Sequence, residues 1–106
     1  MATNIRVSSR ALLGKIRDAA SSSSNVTFIP PPEKRSMAGM MTYRQALECL
    51  RSGKIVGAPM LNEHGHWELR MERYAANYLF SARVVAVCEG ANVVRLIVLL
   101  EPPEGV

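Results

Sequence analysis

Four alternate positions, His66, Glu68, Arg70 and Glu72, would line up an imidazole, two carboxylates and a guanidinium along one face of an extended chain. Alternate side chains of a strand stand roughly 7 Å apart. In such a row an imidazole or a carboxylate can remove a ribose 2′-hydroxyl proton. A guanidinium can neutralise a pentacoordinate phosphate, and a nearby aromatic ring can stack on a base. Arg73, Tyr74, Tyr78, Arg83 and Arg95 follow closely enough to join the row. The catalytic candidates are therefore His66, Glu68 and Tyr78. The phosphate- or RNA-binding candidates are Arg70, Arg73, Arg83 and Arg95. That chemistry needs no metal and no other cofactor. The plainer reading of the same row is a solvated sheet face whose charges pair across strands.

Arg83 and Arg95 each interrupt an otherwise aliphatic run, where an unpaired charge is costly to bury. Their relation depends on hairpin register. A four-residue loop pairing Cys88 with Val93 puts them on opposite faces, whereas a loop of other parity, or one bulge, puts them on the same face. His64 and His66 form an H-x-H pair beside Glu63, but no further His or Cys is near enough to complete a metal site. Cys49 and Cys88 are far apart, each in an apolar stretch, and read as buried free thiols. There is no C-x-x-C pattern to suggest a zinc or redox site.

These residues need elements to hold them. Ser8 and Ser9 can cap a helix over about 9–20, in which Leu12, Leu13, Ile16 and Ala20 share a face. Ser21 to Ser24 end it and read as a linker or turn. Val26–Ile29 is a brief strand-like run stopped by Pro30-Pro31-Pro32. Thr42 and Gln45 form a capping box for a helix over 43–52, and Gly53 stops it. Beyond Gly53 the apolar period changes from 3.6 to 2. Strands are expected at 54–60, 66–74, 78–88 and 93–100, with turns at 62–65, 75–77 and 89–92. The last run is nearly all aliphatic, as suits a central strand covered on both faces. The expected fold class is α+β, one or two helices packed on a three- to four-stranded antiparallel meander sheet. The expected organisation is a basic N-terminal helix and Ser/Pro-rich spacer over 1–41, a compact domain over 42–101 and a tail over 102–106.

The chain has 106 residues, 48% of them apolar and 21% charged. That is globular composition, and it excludes a large multidomain enzyme or a dinucleotide-binding dehydrogenase. No apolar run approaches a membrane-spanning helix, so no membrane partner is expected. The formal charge of +4 is uneven. Residues 1–60 carry nine basic against three acidic groups, net +6, and residues 61–106 carry four against six, net −2. A basic half favours a polyanion or an acidic protein as partner, and its plainer reading is a solvated surface. The expected location is cytoplasmic. Its rival is a mitochondrial transit peptide, because residues 1–24 are rich in Arg and Ser and poor in acid.

Residues 42–100 resemble the small RNase-toxin domains of toxin–antitoxin systems, the RelE-like group and especially the MqsR-like mRNA interferases. Three stretches carry the likeness. "MTYRQALECLRSGKIVG" resembles the helix before the sheet, "GHWELRMERY" the strand that follows, and "YLFSARVVAV" with "NVVRLIVLL" the last two central strands. The resemblance implies mRNA cleavage with an antitoxin as partner. It would make Arg70 the phosphate-binding Arg, Arg83 the basic residue of the penultimate strand, and Tyr78 the Tyr near that strand's start. Those toxins usually end in a Lys, Arg, His or Tyr after the last strand. This chain instead continues Leu99-Leu100-Glu101-Pro102-Pro103. Three functions are thus carried forward. The first is a metal-independent endoribonuclease toxin. The second is a non-catalytic module that binds protein or nucleic acid. The third is a homodimer burying its last strand across a two-fold.

Overall fold

The structure, a computed structural model, describes residues 9–29 and 42–99. The expected cap at Ser8, the proline stop at 30–32, the connection over 33–41 and the tail over 102–106 lie outside the described residues.

Helix α1 spans Ser9–Ala20 and buries Leu12, Ile16, Ala19 and Ala20. Of the two readings of the serine run after it, linker or turn, the structure has the turn, tied back onto the helix end. Ser21 Oγ donates to the Asp18 carbonyl at 2.6 Å, and Asn25 Nδ2 donates to the Ala19 carbonyl at 3.1 Å. These bonds satisfy carbonyls that a helix end leaves without an intrahelical partner. A short 3-10 turn over Ser23–Asn25 then leads into strand β1, Val26–Ile29. Helix α2, Tyr43–Ser52, has the expected capping box in full. Gln45 N–H donates to Thr42 Oγ1 at 3.1 Å, and Thr42 N–H donates to Gln45 Oε1 at 2.9 Å.

Strands β2 (Lys54–Leu61), β3 (Trp67–Ala75), β4 (Tyr78–Glu89) and β5 (Asn92–Leu99) form the antiparallel meander. Its turns carry positive φ at Gly65, at Ala76 and Asn77, and at Gly90. The full sheet has five strands in the order β1-β5-β4-β3-β2. The expected three- to four-stranded antiparallel meander therefore needs extending. β1 lies parallel to β5, with Val26 opposite Leu96 and Ile29 opposite Leu99, so the sheet is mixed. Four residues cut off by prolines give no local sign of a partner some 70 positions away in the chain. α1 and the 3-10 turn pack on β5 and deliver the chain to its free edge.

Both helices lie on one face of the sheet. Leu12, Ile16, Ala19 and Ala20 share a single core with Ala46 and Leu50 of α2 and with Leu69, Met71, Ala82, Val84, Ala86, Leu96 and Val98 of the sheet. Ala82 and Ala86, either side of Val84, give the helices room to approach β4. The boundary expected at residue 41 thus does not divide the packing, since α1 and β1 belong to the same core and sheet as 42–99. Phe28 of β1 also stacks on Tyr43 of α2, ring centroids 4.8 Å apart.

The helices are tied together reciprocally at their C-termini. Arg17 of α1 donates to the Gly53 carbonyl at 2.9 Å, and Arg51 of α2 donates through Nε to the Ala20 carbonyl at 2.8 Å. Each guanidinium caps the other helix's end, where the macrodipole favours a cation.

Candidate functional site

The face of the sheet away from the helices is covered by no described element. Parity and register place Glu68, Arg70, Glu72 and Tyr74 of β3 there, with Ser81, Arg83, Val85 and Val87 of β4. β5 adds Arg95, Ile97 and Leu99, and β1 adds Thr27 and Ile29.

Arg70 and Arg83 are directly opposite each other. Arg70 Nη1 donates to Ser81 Oγ at 3.0 Å. Arg95 pairs with Val87 because the β4–β5 register shifts between Val87 and Cys88. That bulge decides the question of parity left open by the sequence, and Arg83 and Arg95 share the open face. They do not touch. Four residues along β4 separate their positions, roughly 13 Å at the rise of a strand.

Between them lies an aliphatic patch. Val85 pairs with Ile97 and Arg83 with Leu99, and Ile29 flanks Leu99 on the other side. Ile29 is 44% exposed, and Val85, Val87, Ile97 and Leu99 are half-buried. The run of β5, aliphatic from Val93 to Leu99 but for Arg95, was the composition of a strand covered on both faces, yet the described residues cover one. These aliphatic positions were not singled out from the sequence. Their signal was present in that run, but without the strand order it could not be assigned to a face.

The three expected proton-transfer or stacking residues do not meet. His66 lies just before β3, and its Nδ1 accepts the Cys88 backbone N–H at 3.1 Å, beside the bulge. That lone pair is committed to the hairpin, and the neutral imidazole carries its proton on Nε2. Glu68 Oε2 accepts from Asn62 Nδ2 at 3.0 Å. Asn62 Oδ1 in turn accepts the backbone N–H groups of His64 and His66, at 2.9 and 3.0 Å. His66, Glu68 and Asn62 therefore form a turn-fixing network at one end of the sheet. Tyr78 pairs with Ala75 at the other end, on the helix-bearing face. Eight residues along β3 separate Trp67 from Ala75, roughly 26 Å.

Arg73 also lies on the helix-bearing side, near the thiol of Cys49. Burial pushes that thiol up to about 11; Arg73 partly offsets the rise and Glu72 adds to it. The exposed His64 Nε2 stands 3.8 Å from Glu63 Oε1. No group of three or more metal-ligating side chains occurs among the described residues.

No described helix is long and apolar enough to cross a membrane. No family model, curated protein or solved structure matches the chain.

Proposed function

We propose that the chain is a non-catalytic protein-binding module whose open sheet face docks an acidic polypeptide segment bearing aliphatic side chains. The observation that carries this reading is the half-exposed aliphatic patch of Val85, Ile97, Leu99 and Ile29, framed by Arg83 and Arg95. Apolar side chains at the centre and arginines around them match the anatomy of protein interfaces, where Arg is enriched and water is excluded from the middle. Lys54, Arg70, Arg83 and Arg95 outnumber Glu68, Glu72 and Glu89 on this face, and an acidic complement suits that excess.

A protein partner is favoured over RNA by what the face lacks. Sheet surfaces that read single-stranded RNA stack bases on central aromatic rings. Here the centre is aliphatic, and the face's described aromatic ring, Tyr74, lies beside Leu79 near the β3–β4 turn. The endoribonuclease reading, with its antitoxin partner, requires His66, Glu68 and Tyr78 to act on one phosphodiester, and their separation argues against it.

The test combines peptide selection with an RNA cleavage assay. Displayed peptides selected on the wild-type protein should be enriched in acidic residues spaced around aliphatic ones. Binding should be lost in Arg83→Glu/Arg95→Glu, and the affected amide signals should map to β4 and β5. Peptides of no consistent charge, or binding untouched by the double reversal, would sink the proposal. RNA cleavage by the purified protein that disappears in His66→Ala would favour the enzyme instead.

A further inference from the structure

At the other side of the sheet, under the start of α1, the fold leaves a cavity of about 330 Å³. Leu12, Leu61, Trp67 and Val93 supply apolar walls, Cys88 a thiol, and Lys15 the charge. Gly65 of the β2–β3 turn and Gly90 of the β4–β5 hairpin also line it. This volume falls in the range of small-molecule sites, about 300–1,000 Å³, which are mostly apolar with a few placed polar groups.

The polar group here is held in position. Lys15 Nζ donates to the Ala91 carbonyl at 2.6 Å, across from helix to hairpin. An ammonium has three N–H donors, so two remain for an incoming acceptor. No acidic side chain lines the cavity to compete for them. The apolar walls give water few partners, so filling the space with hydrocarbon is favourable.

The geometry points to a binding site for a small carboxylate with an apolar tail, of the medium-chain fatty acid class. The carboxylate pairs with the Lys15 ammonium, and the tail lies against Trp67, Leu12 and Val93. This site is separate from the open face, and its occupancy does not depend on the reading proposed above.

The fold supplies its own reporters. Trp67 is the single tryptophan in the sequence, so intrinsic fluorescence reads the cavity directly. Cys88 lines the cavity, while Cys49 is fully buried elsewhere and serves as an internal reference. Decanoate is titrated into the full chain below its micelle-forming concentration, with decanol as the uncharged control. Decanoate should give a saturable change in Trp67 emission and slow the alkylation of Cys88. It should bind roughly five- to tenfold more tightly than decanol, as a charge-assisted hydrogen bond near the surface warrants. Lys15→Met should bring the two ligands to parity while decanol binding persists. The absence of a saturable change with decanoate overturns the site. Equal wild-type affinities for decanoate and decanol overturn the carboxylate class, and so does a preference that survives Lys15→Met. The wild-type comparison and Cys88 protection stand even if Lys15→Met does not fold.

Discussion

Replacing Gly53 with alanine puts a methyl group where two backbones already meet. Gly53 follows α2, is buried, and has φ −81, so its dihedral angle alone would accept any residue. The constraint is space. A Cβ there would lie 2.7 Å from the Glu72 carbonyl oxygen of β3, and closer still to the Cys49 carbonyl oxygen of α2. Neither neighbour is a side chain that can rotate away, so helix and strand must separate. Overpacking costs typically ~1–3 kcal/mol, and two backbone overlaps place this case at about 3. The stiffer unfolded chain returns about 0.5 kcal/mol. The net loss of about 2.5 kcal/mol corresponds to a melting point lower by roughly 10–20 °C for a domain of this size. Gly14 is the matched control, since it lies on the exposed side of helix α1 with nothing within 4 Å of an added Cβ. There the same substitution should stabilise by about 0.5–1 kcal/mol, through helix propensity. Thermal and urea unfolding followed by far-UV circular dichroism would measure both variants. If Gly53→Ala melts with the wild type, or the two substitutions shift stability in the same direction, the steric reasoning is wrong.

Four further outcomes are expected. Arg51→Ala should cost about 1 kcal/mol and Arg17→Ala a similar amount, as partly exposed caps of helix ends; urea midpoints check both. Ala76→Asn with Asn77→Gly should raise the melting point, because Ala76 and Asn77 hold φ of 52 and 66 and an Asn-Gly pair relieves that strain. Leu96→Ala should cost about 3 kcal/mol at the core face of β5. Its neighbour Ile97→Ala should cost less than about 1.5 kcal/mol, yet weaken binding of any peptide selected on the open face. The raised Cys49 pKa makes the neutral thiol part of the folded state. Its contribution is intact below the unfolded thiol range and is lost as pH rises toward about 11. The stability gap between wild type and Cys49→Ala should therefore narrow between pH ~9 and ~11 in urea titrations at each pH.

What the sequence could disclose followed the range of the interactions involved. Helix α2 was legible residue by residue because its cap, apolar face and stop all lie within twelve positions, Thr42 to Gly53. The alternation of Trp67, Leu69 and Met71 against Glu68 and Arg70 likewise survived intact. The parallel strand β1 and the role of the serine run were not legible in the same way. The first depends on pairing with β5, far along the chain. The second depends on side chains folding back onto the carbonyls of α1, where composition alone leaves linker and turn equally open. The site shows the same division. Which residues were polar and which apolar was plain, but the shared face of Arg83 and Arg95 rests on a single bulge, and the His66–Cys88 bond accompanies it.

The charge distribution takes on a different meaning once the contacts are known. The basic excess lies in residues 1–60, which suggested a polyanion or an acidic protein as the partner of this half. Arg17 and Arg51 from that half are engaged with the backbone carbonyls of Gly53 and Ala20, and Lys15 gives one of its three donors to the Ala91 carbonyl. They hold helix to helix and helix to hairpin. The arginines that face outward across the sheet, Arg83 and Arg95, come from the half whose formal charge is −2. If the open face is the binding surface, as proposed above, net charge by chain half is a poor guide to it. The better guide is the mismatch between composition and coverage. β5 is built as a strand buried on two sides, the helices supply one side, and the arginines around the other set the charge of whatever completes it.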